Sequence, residues 1–277
     1  MEYLASFRRG WENENLARYI LSRFSFIANP STVSDDIGSD YYCTIFKCKS
    51  QNRNKYLIPK NSFAIQIKSN IQKINLTKKI GYLSQLELPY FIGVIDNKNQ
   101  NLSIYSGEYF PIFISTKTPS QLEVLLCDTR AEKYYREKES NCFIIDFPKV
   151  GQINVNESET SLDTFVDELI KLCFVMHENI SSRRNMEFIF THFNSEKISI
   201  VAGKDSAKTY TNNFYKRLAE CFYNIEWKYV YNMDFSMEEF RIYEELYFNL
   251  KKLNKNLPYY ITAPYLKLKA TIEKGKT

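Results

Sequence analysis

The chain has 277 residues, 44% apolar and 25% charged, with a formal net charge of +5. No run of about 18 apolar residues is present to span a bilayer, and the N-terminus lacks the charged-then-apolar order of a signal peptide. Six cysteines (43, 48, 127, 142, 173 and 221) stand apart with no CxxC pair, beside only His177 and His192, which excludes a disulfide framework and argues against a zinc site. A cytoplasmic protein without a membrane partner is expected, long enough for one large domain or two modest ones.

In chain order, Leu16, Tyr19, Ile20 and Phe24 recur at spacings of three and four and predict an amphipathic helix that enters after Gly10 and ends before Pro30. A strand fits somewhere within 26–34. Residues 41–50 alternate as a strand, 51–55 carry turn chemistry, and 62–69 alternate again. In that second strand Phe63, Ile65 and Ile67 share one face while Gln66 and Lys68 share the other. Ile80, Leu83 and Leu86 mark a helix that Pro89 stops; 90–96 reads as a buried strand, turned by Asp96 and Asn97 into another at 101–106.

After Gly107 the texture changes. FPIFIST and NCFIIDF read as strands around a charged helix near 119–138, and Ser161 caps an amphipathic helix. A hairpin turns at Asn194 and Ser195, helices follow at 209–224 and 236–256, and the chain ends in a basic tail. The pattern predicts two domains, 1–110 and 111–277, both mixed α/β, the first with a mixed central sheet flanked by helices.

Charge is unevenly spread. Residues 1–110 carry 14 Lys and Arg against 9 Asp and Glu, whereas 111–277 carry 23 of each. Between 41 and 86 lie nine basic residues and no acid, a strip suited to a polyanion, in which Lys47, Lys49, Arg53, Lys55 and Lys73 are candidate nucleic-acid contacts. The strip surrounds Asp40 and the triplet Gln66, Ile67, Lys68. A carboxylate, further oxygen ligands and a lysine brought together on adjacent strands can hold a divalent cation and activate a water, the minimum apparatus for cutting a phosphodiester.

Residues 10–106 resemble the PD-(D/E)XK restriction-endonuclease-like superfamily, and more narrowly its Mrr-like members with Gln in an acidic slot. The matching pieces come in order: GWENENLARYIL with Glu14, DIGSD whose last Asp opens a strand, FAIQIKS as the QxK strand, and YLSQLELPYFIGVID as helix, Pro and apolar strand. The resemblance implies a restriction-endonuclease-like core and a Mg²⁺ (or Mn²⁺) ion held by Asp40, the Gln66 side-chain oxygen, the Ile67 carbonyl and Glu14. It also implies that Lys68 serves the attacking water, with Asp40, Gln66 and Glu14 completing the catalytic set. Glu12 competes with Glu14, which is preferred because Ala17 and Leu21 follow it at three and seven residues.

The function expected on this footing is a metal-dependent endonuclease, acting on DNA, in bacterial defence against foreign DNA. Residues 111–277 would then serve substrate choice, a partner protein or homodimerisation. The alternative is a non-catalytic nucleic-acid-binding or assembly subunit on a degenerate nuclease scaffold, since Gln66 removes one negative charge from the ion's surroundings.

Overall fold

Helix α1 (Glu2–Ser22) turns Ala17, Ile20 and Leu21 inward at the spacing that the sequence shows, and all three are fully buried. It begins at Glu2 and not after Gly10, so Glu12 and Glu14 lie in its middle and not its first turn. The structure, a computed structural model, describes residues 2–29, 38–51, 54–69, 73–185, 189–194, 197–200, 204–231 and 236–274. Arg53 and the side chain of Lys55 lie outside that description, as does most of the 26–34 stretch beyond strand β1 (Ser25–Ala28).

Strands β2 (Tyr41–Gln51) and β3 (Asn54–Ser69) form a long antiparallel hairpin, with Tyr41 opposite Ile65. Strand β5 (Tyr90–Asp96) then runs parallel to β3, Gln66 opposite Ile92. Parallel neighbours require a crossover. Here it consists of β4 (Lys73–Asn75), a 3-10 turn at Thr77–Lys79 and helix α2 (Ile80–Gln85).

Strand β6 (Asn101–Ser106) pairs β5, and helix α3 (Phe110–Thr116) leads to β7 (Gln121–Cys127), β8 (Tyr135–Glu139) and β9 (Cys142–Asn154). The sheet order is β1-β2-β3-β5-β6-β9-β7-β4, with β8 also on β9. The strand at one end of this order, β4, nevertheless starts near the end of β3, because Ser69 and Lys73 are four residues apart, at most about 14 Å of chain.

Helices cover both faces. Against α1 and α4 (Glu159–Arg184) pack Tyr41, Phe63, Ile65, Ile67, Phe91 and Leu102. The other face carries Ala64, Tyr90 and Ile92 with Leu83 of α2 and Phe110 and Phe113 of α3. The alternation in β3 is thus read out directly, each buried Ile stabilising the sheet by about 1.5–3 kcal/mol. Strands β10 (Ile189–Thr191) and β11 (Ile198–Ile200) pair antiparallel as expected, Phe190 opposite Ser199, while Ser195 of their turn lies outside the described residues.

Three expectations are corrected. FPIFIST is helix α3: Pro111 occupies its first turn, and Phe110, Ile112 and Phe113 are all buried, which hides any helical period. The supposed charged helix at 119–138 is β7 and β8, in which Leu122 and Val124 alternate with Glu123. The basic tail, as far as Lys274, belongs to helix α7 (Tyr259–Lys274), with Ile261, Tyr265, Leu268 and Ile272 buried at spacings of three and four; 275–277 lie outside the described residues.

The division at 110 also gives way. β6 and β9 are paired across it, and the chain separates into one unit of 1–184 with 188–201 and a second of 185–187 with 202–277. Among its described residues the second unit is helical and not mixed α/β: α5 (Lys204–Val230), α6 (Met237–Leu253) and α7 supply its core.

Candidate active site

Asp40 stands where β2 begins and completes the pairing with β3. Its N–H donates to the Ile65 carbonyl at 2.9 Å, and its Oδ2 accepts from the Ile67 N–H at 2.5 Å. The carboxylate replaces the backbone partner that Ile67 would otherwise lack, because the chain turns away at Gly38, whose φ is +113°. One side chain thereby does two things: it caps the ladder and brings a negative charge to the edge of the QxK strand.

Gln66 lies next to it on the α2 side of the sheet and is buried, 3% exposed. Its amide orientation follows from its neighbours. With Oε1 toward Lys79 Nζ (2.8 Å) and Lys68 Nζ (3.2 Å), and the amide nitrogen donating to the Tyr90 hydroxyl (3.0 Å), every group meets a partner of the opposite kind. The Tyr90 hydroxyl then spends its single proton on the Gly38 carbonyl at 3.1 Å. In the reverse orientation Tyr90 would have to donate to Gly38 and Gln66 at once.

Burial, and after it the Asp40 charge, push the Tyr90 pKa far upward, so the phenol stays a donor. The Tyr42 and Tyr82 hydroxyls bond at 2.8 Å nearby, and that bond, with burial, raises Tyr42 to about 12.

The structure therefore brings together Asp40, Gln66, Ile67 and Lys68 and adds Lys79, which was one of nine basic residues in the strip without being singled out. Lys79 precedes α2 in the crossover, and its stem passes over Gly38, where an added Cβ would lie 2.8 Å from Lys79 Cδ. No local signal marks it. Only the crossover folds it back onto the QxK strand.

Glu14 reaches the same end of the sheet from the opposite face. Its backbone carbonyl accepts from the Tyr41 hydroxyl at 3.0 Å, and Tyr41, which packs among the α1-side residues, is raised to about 12 by burial first and the Glu14 charge second.

The donors fit magnesium in kind. The Asp40 carboxylate and Gln66 Oε1 are hard oxygens, and the Ile67 carbonyl points to the same strand edge as its N–H. In charge they fit only with help, since among the described residues the Asp40 carboxylate at the strand edge stands against two ammonium groups on the Gln66 amide oxygen. Among the described residues no group of three or more His, Cys, Asp or Glu converges. An ion here would depend on oxygens from a substrate phosphate.

Of the proposed nucleic-acid contacts, Lys47 and Lys49 are exposed on β2, and Lys73 is exposed on β4. Lys47 is ion-paired with Asp167 of α4, an acid far outside the basic strip in sequence. Beyond Phe46, whose N–H still donates to the Phe24 carbonyl at 3.0 Å, the described pairing is β2 with β3 alone, so Lys47–Gln51 and 54–58 form a two-stranded ribbon. His192 is elsewhere, its Nε2 2.7 Å from the Ser199 hydroxyl, and burial lowers its pKa.

No helix among the described residues is long and apolar enough to cross a membrane. Comparison with protein-family models, curated proteins and solved structures finds no match to this chain.

Proposed function

We propose that the chain is a metal-dependent nuclease of the restriction-endonuclease-like kind, hydrolysing phosphodiester bonds in DNA, with bacterial defence against foreign DNA as its setting. The observation that carries the reading is the bond from the Ile67 N–H to Asp40, which sets a carboxylate beside Gln66 and Lys68 at the start of β2 and the end of β3. The order of elements supports it: a helix, three antiparallel strands, a crossover helix and a strand parallel to the third. That is the order in which the resembling motifs run along the sequence.

In this reading Asp40, Gln66 and the Ile67 carbonyl would hold the ion, whereas Glu14, a further ligand by the resemblance, lies on the opposite face of the sheet. Magnesium, when bound, supplies positive charge to the attacked phosphate and acidifies a water. Lys68 orients the attacking water and offsets charge gathering on the phosphate. The water oxygen forms a bond to phosphorus as the bond to the leaving oxygen breaks, and the water's proton ends on that leaving oxygen. The β2/β3 ribbon favours duplex DNA, because the major groove of B-DNA admits a two-stranded ribbon whereas that of A-form RNA is deep and narrow.

The test uses Asp40→Asn, which keeps an oxygen to cap Ile67 while removing the charge, and Lys68→Met. Both are expected to abolish Mg²⁺- or Mn²⁺-dependent cleavage, by 100-fold or more as is usual for a lost charge at a phosphoryl centre (about 3 kcal/mol), with melting temperatures close to the parent. If the parent protein leaves duplex DNA, single-stranded DNA and RNA all uncut with either metal, the nuclease reading fails. Salt-sensitive DNA binding that survives Asp40→Asn would then mark a non-catalytic binding subunit, the reading favoured by the two ammonium groups on Gln66.

A further inference from the structure

Lys79 has no part in the set of residues that the motifs define, yet its ammonium lies closer to Gln66 Oε1, at 2.8 Å, than does that of Lys68 at 3.2 Å. That oxygen is one the metal would need. A side-chain oxygen cannot face two ammonium groups and a divalent cation together, since like charges a few ångströms apart in a half-buried setting repel strongly. An acidic residue at position 66 would offset part of this repulsion; the neutral amide does not.

Nor is Lys79 a wandering surface group. Its stem lies across Gly38, the residue whose carbonyl takes the Tyr90 proton, and Tyr90 in turn accepts from the Gln66 amide. Gly38, Lys79, Gln66 and Tyr90 thus form a closed ring of contacts about one oxygen.

We propose, resting on the nuclease reading, that Lys79 is a second positioning lysine of the site. It is the resident cation on Gln66 Oε1 when no nucleic acid is bound, and it transfers to a phosphate oxygen of the substrate when the metal enters. The exchange moves one cation from an amide oxygen to an anion and clears the amide for the ion. Metal and nucleic acid therefore bind cooperatively: each alone is weak, and either strengthens the other by the same factor.

The experiment measures Mn²⁺ affinity of the full chain by electron paramagnetic resonance, with and without a DNA duplex carrying phosphorothioates to prevent cutting. The proteins are the parent, Lys79→Met, Lys79→Arg and Asp40→Asn. Methionine keeps an unbranched stem to lie over Gly38, and the arginine variant keeps the charge, so a fold defect in one is caught by the other.

For the parent, duplex is expected to tighten Mn²⁺ binding about ten-fold or more. Lys79→Met should bind Mn²⁺ without DNA at least about ten-fold tighter than the parent and lose most of the DNA enhancement, whereas Lys79→Arg should resemble the parent. Unchanged Mn²⁺ affinity in Lys79→Met, with Asp40→Asn still abolishing it, overturns the role of Lys79 and leaves the nuclease reading standing. No Mn²⁺ binding by any of the proteins, with or without duplex, overturns both.

Discussion

Gly38 is the residue on which the site's geometry turns. At φ +113° an L side chain is strained, and an added Cβ would meet Lys79 Cδ at 2.8 Å. Gly38→Ala is expected to cost about 1–2 kcal/mol from backbone strain alone, with a further part from pushing the Lys79 stem aside. Urea denaturation of Gly38→Ala, Lys79→Ala and the pair separates the two: in the Lys79→Ala background the cost should fall toward the backbone part. Equal cost in both backgrounds would show that the stem yields freely. Asp40, Gln66 and Lys68 were legible in the sequence because strand alternation fixes the side on which a residue projects, and Asp40 follows once β2 and β3 pair. Lys79 was not, since its place depends on a crossover whose path no local pattern encodes. Glu14 shows the opposite limit. The spacing predicts the helix but does not encode that α1 lies on the face of Tyr41 and not of Gln66.

At the scale of elements, the β2/β3 hairpin converts an ordinary basic composition into a shaped surface. Lys47 and Lys49 are two apart on one strand and face the same way, opposite Ile58 and Tyr56. They are unequal, however, because Lys47 is held by Asp167. Lys49→Gln should weaken DNA binding across sequences and lower the slope of log affinity against log salt by about 0.9, whereas Lys47→Gln should lower it less, since the parent must give up an ion pair to reach a phosphate. Titrations between 50 and 200 mM salt read both slopes, and equal losses would mean that the Asp167 pair does not compete. Sequence pattern and structure differ where burial removes the period. Helix α3 is apolar in every direction that its first four residues point, and so mimics a strand; α7 was obscured by its lysines, although Ile261, Tyr265, Leu268 and Ile272 carry a plain helical spacing.

Across the whole molecule, two cores decide the organisation. In the first unit β9 is long enough to pair β6 with one half and β7 with the other, which carries the sheet past residue 110 and makes a boundary there untenable. The second unit has a core of its own from α5, α6 and α7, with Phe222, Ile261 and Leu268 fully buried and Tyr247 stacked on Tyr265 at 4.1 Å between centroids. Separate cores of this kind argue against one cooperative transition. Calorimetry of the full chain is expected to resolve two unfolding transitions. Phe222→Ala removes a ring from the helical core, a loss of about 3–5 kcal/mol, and should lower one transition steeply. Gly38→Ala should lower the other, by about 2–4 °C for each kcal/mol lost. Because the candidate site draws all its residues from the first unit, duplex DNA with Mn²⁺ should raise the transition that Gly38→Ala lowers and leave unmoved the one that Phe222→Ala lowers. A single transition shifted by both substitutions would show that the two cores unfold as one, and a ligand that raises the helical transition instead would move the binding surface into the second unit.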